Sequence, residues 1–169
     1  ALPQKNISVL LLERLLKGKV KSVQRMNVVQ AKKYSEMLKN SIDKYNKRSI
    51  QTSKVIEELI EIAKEMRKAA ERGEDLGLSQ DEVAFYDALA DHMTAKEVLG
   101  DETLRAIAHE LTKVIKENMT IDWNRKESAR AKMRITVRKL LRKYGYPPDL
   151  AKLAVETVVR QAELMAGNI

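Results

Sequence analysis

The sequence predicts an all-α protein, an irregular bundle of about seven helices with no sheet. Apolar residues recur at helical spacing along most of the 169 residues, and only six glycines and three prolines interrupt them. Capping signals stand at the ends of several of these segments. No segment shows the sustained alternation of apolar and polar residues that a half-buried strand requires.

The first half of the chain is predicted to form three helices. The first covers residues 7–16 and ends near Gly18, and the second covers residues 22–48. The third covers residues 53–72, and Gly73 is its expected C-terminal cap. The apolar face of this third helix is formed by Val55, Leu59, Ile62, Met66 and Ala69, and Ile56, Ile60 and Ala63 widen it.

Two capping boxes follow a loop over residues 73–78. In a capping box, an N-cap side chain and an acidic side chain three residues later each bond the other residue's backbone N–H. Ser79 and Glu82 form the first box and open a helix with four large apolar residues, Val83, Phe85, Tyr86 and Leu89. Thr94 and Glu97 form the second, on a short helix that ends at Gly100.

Three further helices are predicted, over residues 101–119, 124–145 and 149–165. The chain is therefore expected to be a single helical domain over residues 1–169, with 73–78 as a possible sub-boundary. The apolar face of the helix over 101–119 consists of Leu104, Ile107, Ala108, Leu111, Val114, Ile115 and Met119. That of the helix over 124–145 consists of Ala129, Met133, Val137, Leu140 and Tyr144. That of the last helix consists of Leu150, Leu153, Ala154, Val158 and Met165.

The charge is strongly basic and unevenly distributed. A net charge of +8 permits contact with nucleic acid or another acidic surface. Residues 17–48 carry ten basic side chains against two acids, and residues 53–82 carry nine acids against five bases. Cysteine is absent, so there is no disulfide framework. No signal peptide and no apolar run of about 18 residues is found, and we expect a cytoplasmic protein.

The helix over residues 124–145 has nine basic side chains against a single acid, Glu127. Four of its arginines recur at every fourth position, which places them in one slowly drifting row on the helix surface. Gly145 and the prolines that follow end the helix. The candidate contacts to DNA or to a protein partner are the arginine row and three nearby lysines: Arg130, Arg134, Arg138, Arg142, Lys126, Lys132 and Lys139.

The sequence leaves open what the arginine row meets. It could contact phosphates of double-stranded DNA or dock onto a protein. It could also pair with the acidic face of the third helix or simply stay in solvent. A helix that reads bases would need suitable side chains near its N-terminus. Only Asn124 and Arg125 qualify there, so any DNA contact is expected to be independent of sequence.

No catalytic, cofactor-binding or metal site is predicted. The chain lacks both the phosphate-binding loop and the dinucleotide fingerprint. His92 and His109 lie in separate helices without a second ligand at i+4, and they are expected at the surface or at the boundary of the core. Trp123 is expected to anchor packing, and Asp122 to cap the basic helix. Four glutamates are expected to form a solvated face that pairs with Lys64 and Lys68: Glu57, Glu58, Glu61 and Glu65.

Residues 110–149 contain three distinctive motifs: the Ile-Asp-Trp element, the Arg-x-Lys-x-Arg spacing and the Lys-Tyr-Gly-Tyr-Pro-Pro run. Four further runs precede them: NVVQAKKYSEML (27–38), YNKR (45–48), VIEELIEIAKEMR (55–67) and GLSQDEVAFYDALA (77–90). In these motifs and in their order, most of the chain resembles the C-terminal helical region of the R subunit of type I restriction-modification enzymes.

The resemblance implies a role in assembly and no catalytic residue. In that family the nuclease domain and two ATPase lobes precede the helical region, whose implied contact is the methyltransferase core, with DNA as an open alternative. The chain would then be a fragment of a larger subunit, not an enzyme by itself, and would hold no cofactor; ATP and Mg²⁺ would belong to the parent subunit. Its expected partners are the remainder of the R subunit and the modification and specificity subunits of the methyltransferase core. Double-stranded DNA is the open further partner, and no membrane contact is expected.

Overall fold

The structure is a computed structural model, and it describes residues 6–91, 93–119 and 126–167. Within these ranges the chain forms eight α-helices and no β-strand, which confirms the all-α prediction. The helices are α1 (Ile7–Gln24), α2 (Val28–Asn46), α3 (Thr52–Leu76), α4 (Gln80–Ala90), α5 (Met93–Leu99), α6 (Asp101–Asn118), α7 (Glu127–Lys143) and α8 (Pro148–Gly167).

The contacts divide the chain into two compact units. Of the described residues, unit 1 contains 6–24 and 30–72, and unit 2 contains 25–29 and 73–167. The division falls within α3, next to the predicted sub-boundary at 73–78. Whether the whole chain forms a single domain stays a prediction.

Unit 1 is built on a core shared by α1, α2 and α3. Its buried side chains are Val9, Leu16, Tyr34, Leu38, Ile42, Val55, Leu59, Ile62 and Met66. The buried row predicted for α3 is thus confirmed from Val55 to Met66, because residues three and four apart share one helix face. Ile60 was wrongly assigned to that face, since it is 41% exposed and does not belong to the core of unit 1.

The predicted boundary between the first two helices is wrong. α1 continues through Gly18 to Gln24, and α2 begins at Val28 and not at Ser22. A glycine inside a helix costs about 1 kcal/mol relative to alanine, which is too little to end a helix that packs on both sides of it. Leu16 is buried before Gly18, and Val20 packs against the same core after it.

The predicted C-terminal cap of α3 is also wrong, because the helix runs past Gly73 to Leu76. Gly77 has a φ of 68° and ends the helix. Its N–H donates to Glu74 O (3.2 Å), and the N–H of Leu78 donates to Gly73 O (2.9 Å). These two bonds define a Schellman motif, in which a left-handed residue just after the helix satisfies its last carbonyls.

The same motif ends α2, but with Arg48 in the left-handed position. Arg48 has a φ of 56°, its N–H donates to Tyr45 O (3.1 Å), and the N–H of Ser49 donates to Lys44 O (3.0 Å). A side chain with a β-carbon is strained in this conformation, and glycine is not.

We therefore expect opposite effects of exchanging the residue type at the two caps. Arg48→Gly should raise the free energy of unfolding by about 0.5–1 kcal/mol, and Gly77→Ala should lower it by about 1 kcal/mol. Urea unfolding followed by circular dichroism measures both variants. Gly18→Ala is the control for a glycine inside a helix, where no left-handed φ is involved. If both cap variants changed the free energy of unfolding in the same direction, Arg48 and Gly77 would not both occupy left-handed cap positions.

Unit 2 is organised around α4, which is buried from Val83 to Leu89 on nearly every side. It packs against α5, α6 and α8, and α7 packs against α6 and α8. The Ser79–Glu82 capping box is confirmed, with both of its hydrogen bonds at 3.2 Å. The second box is not, since α5 starts at Met93 and so contains Thr94.

The apolar faces predicted for α6, α7 and α8 are confirmed except at Val114 and Leu153, since the other predicted residues are buried in the core of unit 2 or pack against it. Leu153 is 52% exposed, because α8 turns Val155 and Val159 towards the core in its place. The buried positions of α6 and α7 are positions predicted from their helical spacing, together with Thr112 and Leu141, which the pattern did not include. Among the described helices, none combines the length and the apolar character that crossing a membrane needs.

Candidate interaction surface on the basic helix

The basic helix α7 is fixed by its buried face and by its C-terminal end. Met133, Val137, Leu140 and Leu141 are buried in the core of unit 2. Gly145, with a φ of 75°, ends the helix as predicted in a Schellman motif. α8 begins at Pro148, so α7 and α8 form a tight helical hairpin that turns the arginine row towards α8 on one side and solvent on the other.

Two tyrosines form hydrogen bonds that hold the C-terminal end of α7 in place. The Tyr144 hydroxyl donates to Glu110, and Lys143 Nζ lies 3.2 Å from Glu110 Oε1. The tyrosine hydrogen bond, helped by Lys143, holds the pKa of Glu110 below its ordinary value. The buried Tyr146 hydroxyl donates to Leu89 O (2.7 Å), and burial raises the pKa of Tyr146 to about 12. Both phenols are therefore neutral donors at pH 7.

The first two arginines of the row are engaged by carboxylates within the hairpin. Arg134 Nε lies 3.0 Å from Glu156 Oε1 of α8. Arg130 Nη1 lies 3.9 Å from Glu163 Oε1, also of α8, and Arg130 also pairs with Glu127. Both arginine side chains are about two-thirds covered. Partly exposed pairs of this kind contribute about 0.2–1 kcal/mol each, so they orient the side chains more than they stabilise the fold.

The last two arginines differ from the first two. Arg138 and Arg142 are exposed, and neither forms an ion pair with any residue that the structure describes. The charged side chain of α8 that lies near Arg138 and Arg142 is Lys152 and not a carboxylate. The three cations line one concave pocket of about 490 Å³, together with Gly145, Tyr146, Pro148 and Ala151. The row is thus neutralised in its first half and cationic in its second half.

The three predicted lysines are also exposed, and one large apolar side chain lies between two of them. Lys126 directly precedes the helix, and Lys132 and Lys139 lie on its outer side. Ile135 is 52% exposed at the centre of this side. We call the following residues the cationic face of α7: Lys132, Ile135, Arg138, Lys139 and Arg142.

Sequence reasoning missed the partners on α8 and the exposed isoleucine. A signal for Glu156 was present, because Arg134 and Glu156 lie equally far along the chain from Gly145, where the hairpin turns. In an antiparallel hairpin such positions face each other. By the same symmetry Arg138 faces Lys152, which predicts the cationic end of the row.

Three of the four glutamates expected on the solvated face of α3 contact lysines within unit 1. Lys64 pairs with Glu61 as expected, and Lys54 pairs with Glu57. Glu58 was wrongly placed on the solvated face. It is half-buried, accepts from the Ser41 hydroxyl (2.6 Å), and lies 3.4 Å from Lys44 Nζ. The Ser41 hydrogen bond lowers the pKa of Glu58 despite its partial burial.

His109 is exposed and its Nδ1 lies 2.6 Å from Glu82 Oε2, the carboxylate of the capping box. Burial raises the pKa of Glu82, but the hydrogen bonds from His109 and Ser79 outweigh it and leave the pKa lowered. Among the described residues, no three His, Cys, Asp or Glu side chains are placed to hold a metal ion. The expectations for His92, Asp122, Trp123, Asn124 and Arg125 lie outside the described residues.

Comparisons with known proteins identify the chain's family. The model of a family described as type I restriction enzyme HindI endonuclease subunit-like, C-terminal, matches residues 1–168. The chain is 35% identical over 167 residues to the type I restriction enzyme HindI endonuclease subunit of Haemophilus influenzae, covering 99% of this chain and 16% of that protein.

A second relative is a protein of Methanocaldococcus jannaschii, provisionally described as the endonuclease subunit of the type I restriction enzyme MjaIXP. The chain is 35% identical to it over 136 residues, which cover 78% of this chain and 13% of that protein. The chain thus spans about a seventh of the length of these relatives. No solved structure matches it significantly. The chain belongs to the family of C-terminal domains of type I restriction enzyme endonuclease subunits.

Proposed function

We propose that this domain docks the endonuclease subunit of a type I restriction enzyme onto the methyltransferase core, through the cationic face of α7. The parent subunit would supply the ATP- and Mg²⁺-dependent translocation and the DNA cleavage, and this domain would supply no catalytic group. Inside a cytoplasmic complex of this kind, its task would be assembly.

The half-exposed Ile135 among four cations is the observation that carries the proposal. Protein interfaces commonly have a desolvated apolar centre with arginines around it. A surface that binds only phosphates gains little from an isoleucine at its centre. The neighbouring Arg138 and Arg142 form no ion pair with the described residues, so their guanidinium groups are available to carboxylates of a partner.

The test is co-elution of the chain with purified methyltransferase core on a sizing column at low salt. The wild-type chain is expected to co-elute. Ile135→Asp should abolish co-elution, and Arg138→Glu/Arg142→Glu should weaken binding at least about 100-fold, since reversing desolvated interfacial charges costs several kcal/mol. Circular dichroism confirms that each variant is folded.

The matched control is Arg67→Glu/Lys68→Glu on α3, which changes the net charge equally at exposed positions. This variant should bind as the wild type does, since only the position of the charges differs. A folded wild-type chain that fails to co-elute would count against docking altogether. Equal weakening by both double variants would show a general charge effect and would remove the cationic face of α7 from the interface.

The cationic end of the arginine row supports a second candidate, contact with the DNA backbone. Arg138, Arg142 and Lys152 surround one concave pocket without a described carboxylate partner, a pattern suited to phosphate. Such binding would be independent of base sequence and steeply dependent on salt, because each neutralised phosphate releases counterions.

The same charge-reversal variants separate the two candidates. If the surface binds DNA, Arg138→Glu/Arg142→Glu should weaken binding to a non-specific duplex at low salt and reduce the slope of log K against log salt by about 2. Ile135→Asp should then have a much smaller effect than it has on docking. Unchanged duplex affinity in the double variant would remove the DNA candidate.

A further inference from the structure

The first helix of the chain presents an apolar face that unit 1 does not cover. Ile7 is 73% exposed, Leu11 is 60% exposed and Leu15 is 55% exposed, and Leu10 beside them is 42% exposed. Ile7, Leu11 and Leu15 follow each other at every fourth position, so they form one continuous row. We call these four residues the outer face of α1. Single exposed apolar residues are common on protein surfaces, but a contiguous group of four large ones indicates an interaction site.

Gly18 lies on the same side of α1, three residues after Leu15 and seven after Leu11. It is exposed, and a β-carbon built there would meet nothing within 4 Å. Glycine in the middle of a helix costs stability, and nothing in the described structure requires one at this position. A missing side chain next to an apolar row allows another helix or strand to approach closely. Gly18 is therefore a separate observation which also indicates that the outer face of α1 is an interaction site.

The lengths of the relatives indicate what covers this face. The matched segment is only 16% of the Haemophilus influenzae subunit, and the family is defined as the C-terminal part of such subunits. The rest of the relative thus precedes the segment that this chain matches. α1 is the first helix of the match, so its outer face lies closest in sequence to the preceding part of the polypeptide.

We infer that the outer face of α1 packs against the preceding part of the same endonuclease subunit. The complementary surface would be an apolar helix or strand face with acidic residues at its margin, because Arg14, Lys19 and Lys21 are exposed beside the row. This inference rests on the chain being the C-terminal part of a longer subunit, and it concerns α1 and not the cationic face of α7. The outer face of α1 would make a contact within the subunit, and the cationic face of α7 would remain free to bind the methyltransferase core.

Carbene footprinting with mass spectrometry tests the inference, because it labels side chains in proportion to their exposure. The full-length subunit, without methyltransferase core, is compared with the isolated chain. Labelling of Leu11 and Leu15 is expected to fall about fivefold or more in the full-length subunit, as it would for side chains buried at an interface centre. The internal controls are Ile60 and Val98, exposed apolar residues of α3 and α5 whose labelling should be unchanged.

Gly18→Leu provides a variant that should not threaten the fold. Leucine favours the helix, and the space around this position is open. In the full-length subunit the larger side chain should hold the partner surface away, and labelling of Leu11 and Leu15 should return towards the level of the isolated chain. Gly18→Ala, with a much smaller side chain, should retain most of the protection.

Three outcomes would overturn the inference. Equal labelling of Leu11 in the full-length subunit and in the isolated chain would mean that the preceding polypeptide leaves the face open. Protection of the isolated chain that increases with its concentration would identify a second copy as the occupant. Protection of the full-length subunit only after addition of the core would assign the face to the core. Docking through α7 can fail without affecting the first two results, since the core is absent from the comparisons that give them.

Discussion

Phe85→Ala is expected to lower the free energy of unfolding of unit 2 by about 3–5 kcal/mol. Phe85 is fully buried near the middle of α4, whose neighbours α5, α6 and α8 enclose it on nearly all sides. A truncated side chain at this position leaves a cavity, because helices packed on several sides cannot all move inwards to fill it. Urea unfolding followed by circular dichroism measures the loss, and amide exchange of α4 and α6 locates it.

Leu153→Ala is the matched control for truncation in the same unit. The sequence pattern placed Leu153 in the core, but it is 52% exposed, so its truncation should cost less than about 1 kcal/mol. A loss for Leu153→Ala as large as that for Phe85→Ala would mean that α8 is rotated to bring Leu153 into the core. A small loss for Phe85→Ala would mean that the surroundings of α4 can collapse into the cavity.

Features determined by nearby residues could be predicted from the sequence. The Ser79–Glu82 capping box and the glycine cap at Gly145 each depend on a few consecutive residues, and both are present. The buried rows of α3 and α6 follow from helical periodicity alone. Gly73 shows the limit of such rules, because Gly73 and Gly77 are both plausible caps. Only the backbone conformation decides between them, and Gly77 has the positive φ.

Features that depend on long-range packing could not be predicted in this way. The arginine spacing predicted one uniform row, but the charges that face each arginine come from α8. Glu156 faces Arg134, whereas Lys152 lines the same pocket as Arg138. The row therefore has two halves with different surroundings. Likewise, the exposure of Leu153 and of Ile60 depends on the rotation of each helix against its neighbours, which an apolar pattern fixes only approximately.

Gln161 is the clearest case of a structural contact that apolar patterning conceals. It is only 1% exposed and lies among the buried apolar residues of α8. Its Nε2 donates to Met26 O (2.8 Å), and its Oε1 accepts from Val28 N (2.9 Å). One amide thus satisfies two backbone groups on either side of Asn27, whose own side chain donates to Asp87 (2.7 Å). This set of hydrogen bonds holds residues 25–29 within unit 2.

Gln161→Leu should therefore destabilise unit 2 by about 2–4 kcal/mol, although leucine is close in size and more apolar. The loss arises because two partly buried backbone groups, Met26 O and Val28 N–H, lose their partner, at a cost of about 1–3 kcal/mol each. Arg160→Leu, an exposed neighbour on α8, is the control for placing leucine in this helix. Urea unfolding measures the stability, and the amide of Val28 should exchange much faster in Gln161→Leu alone. Unchanged protection of that amide would show that residues 25–29 are held by apolar packing, with Gln161 contributing no essential hydrogen bond.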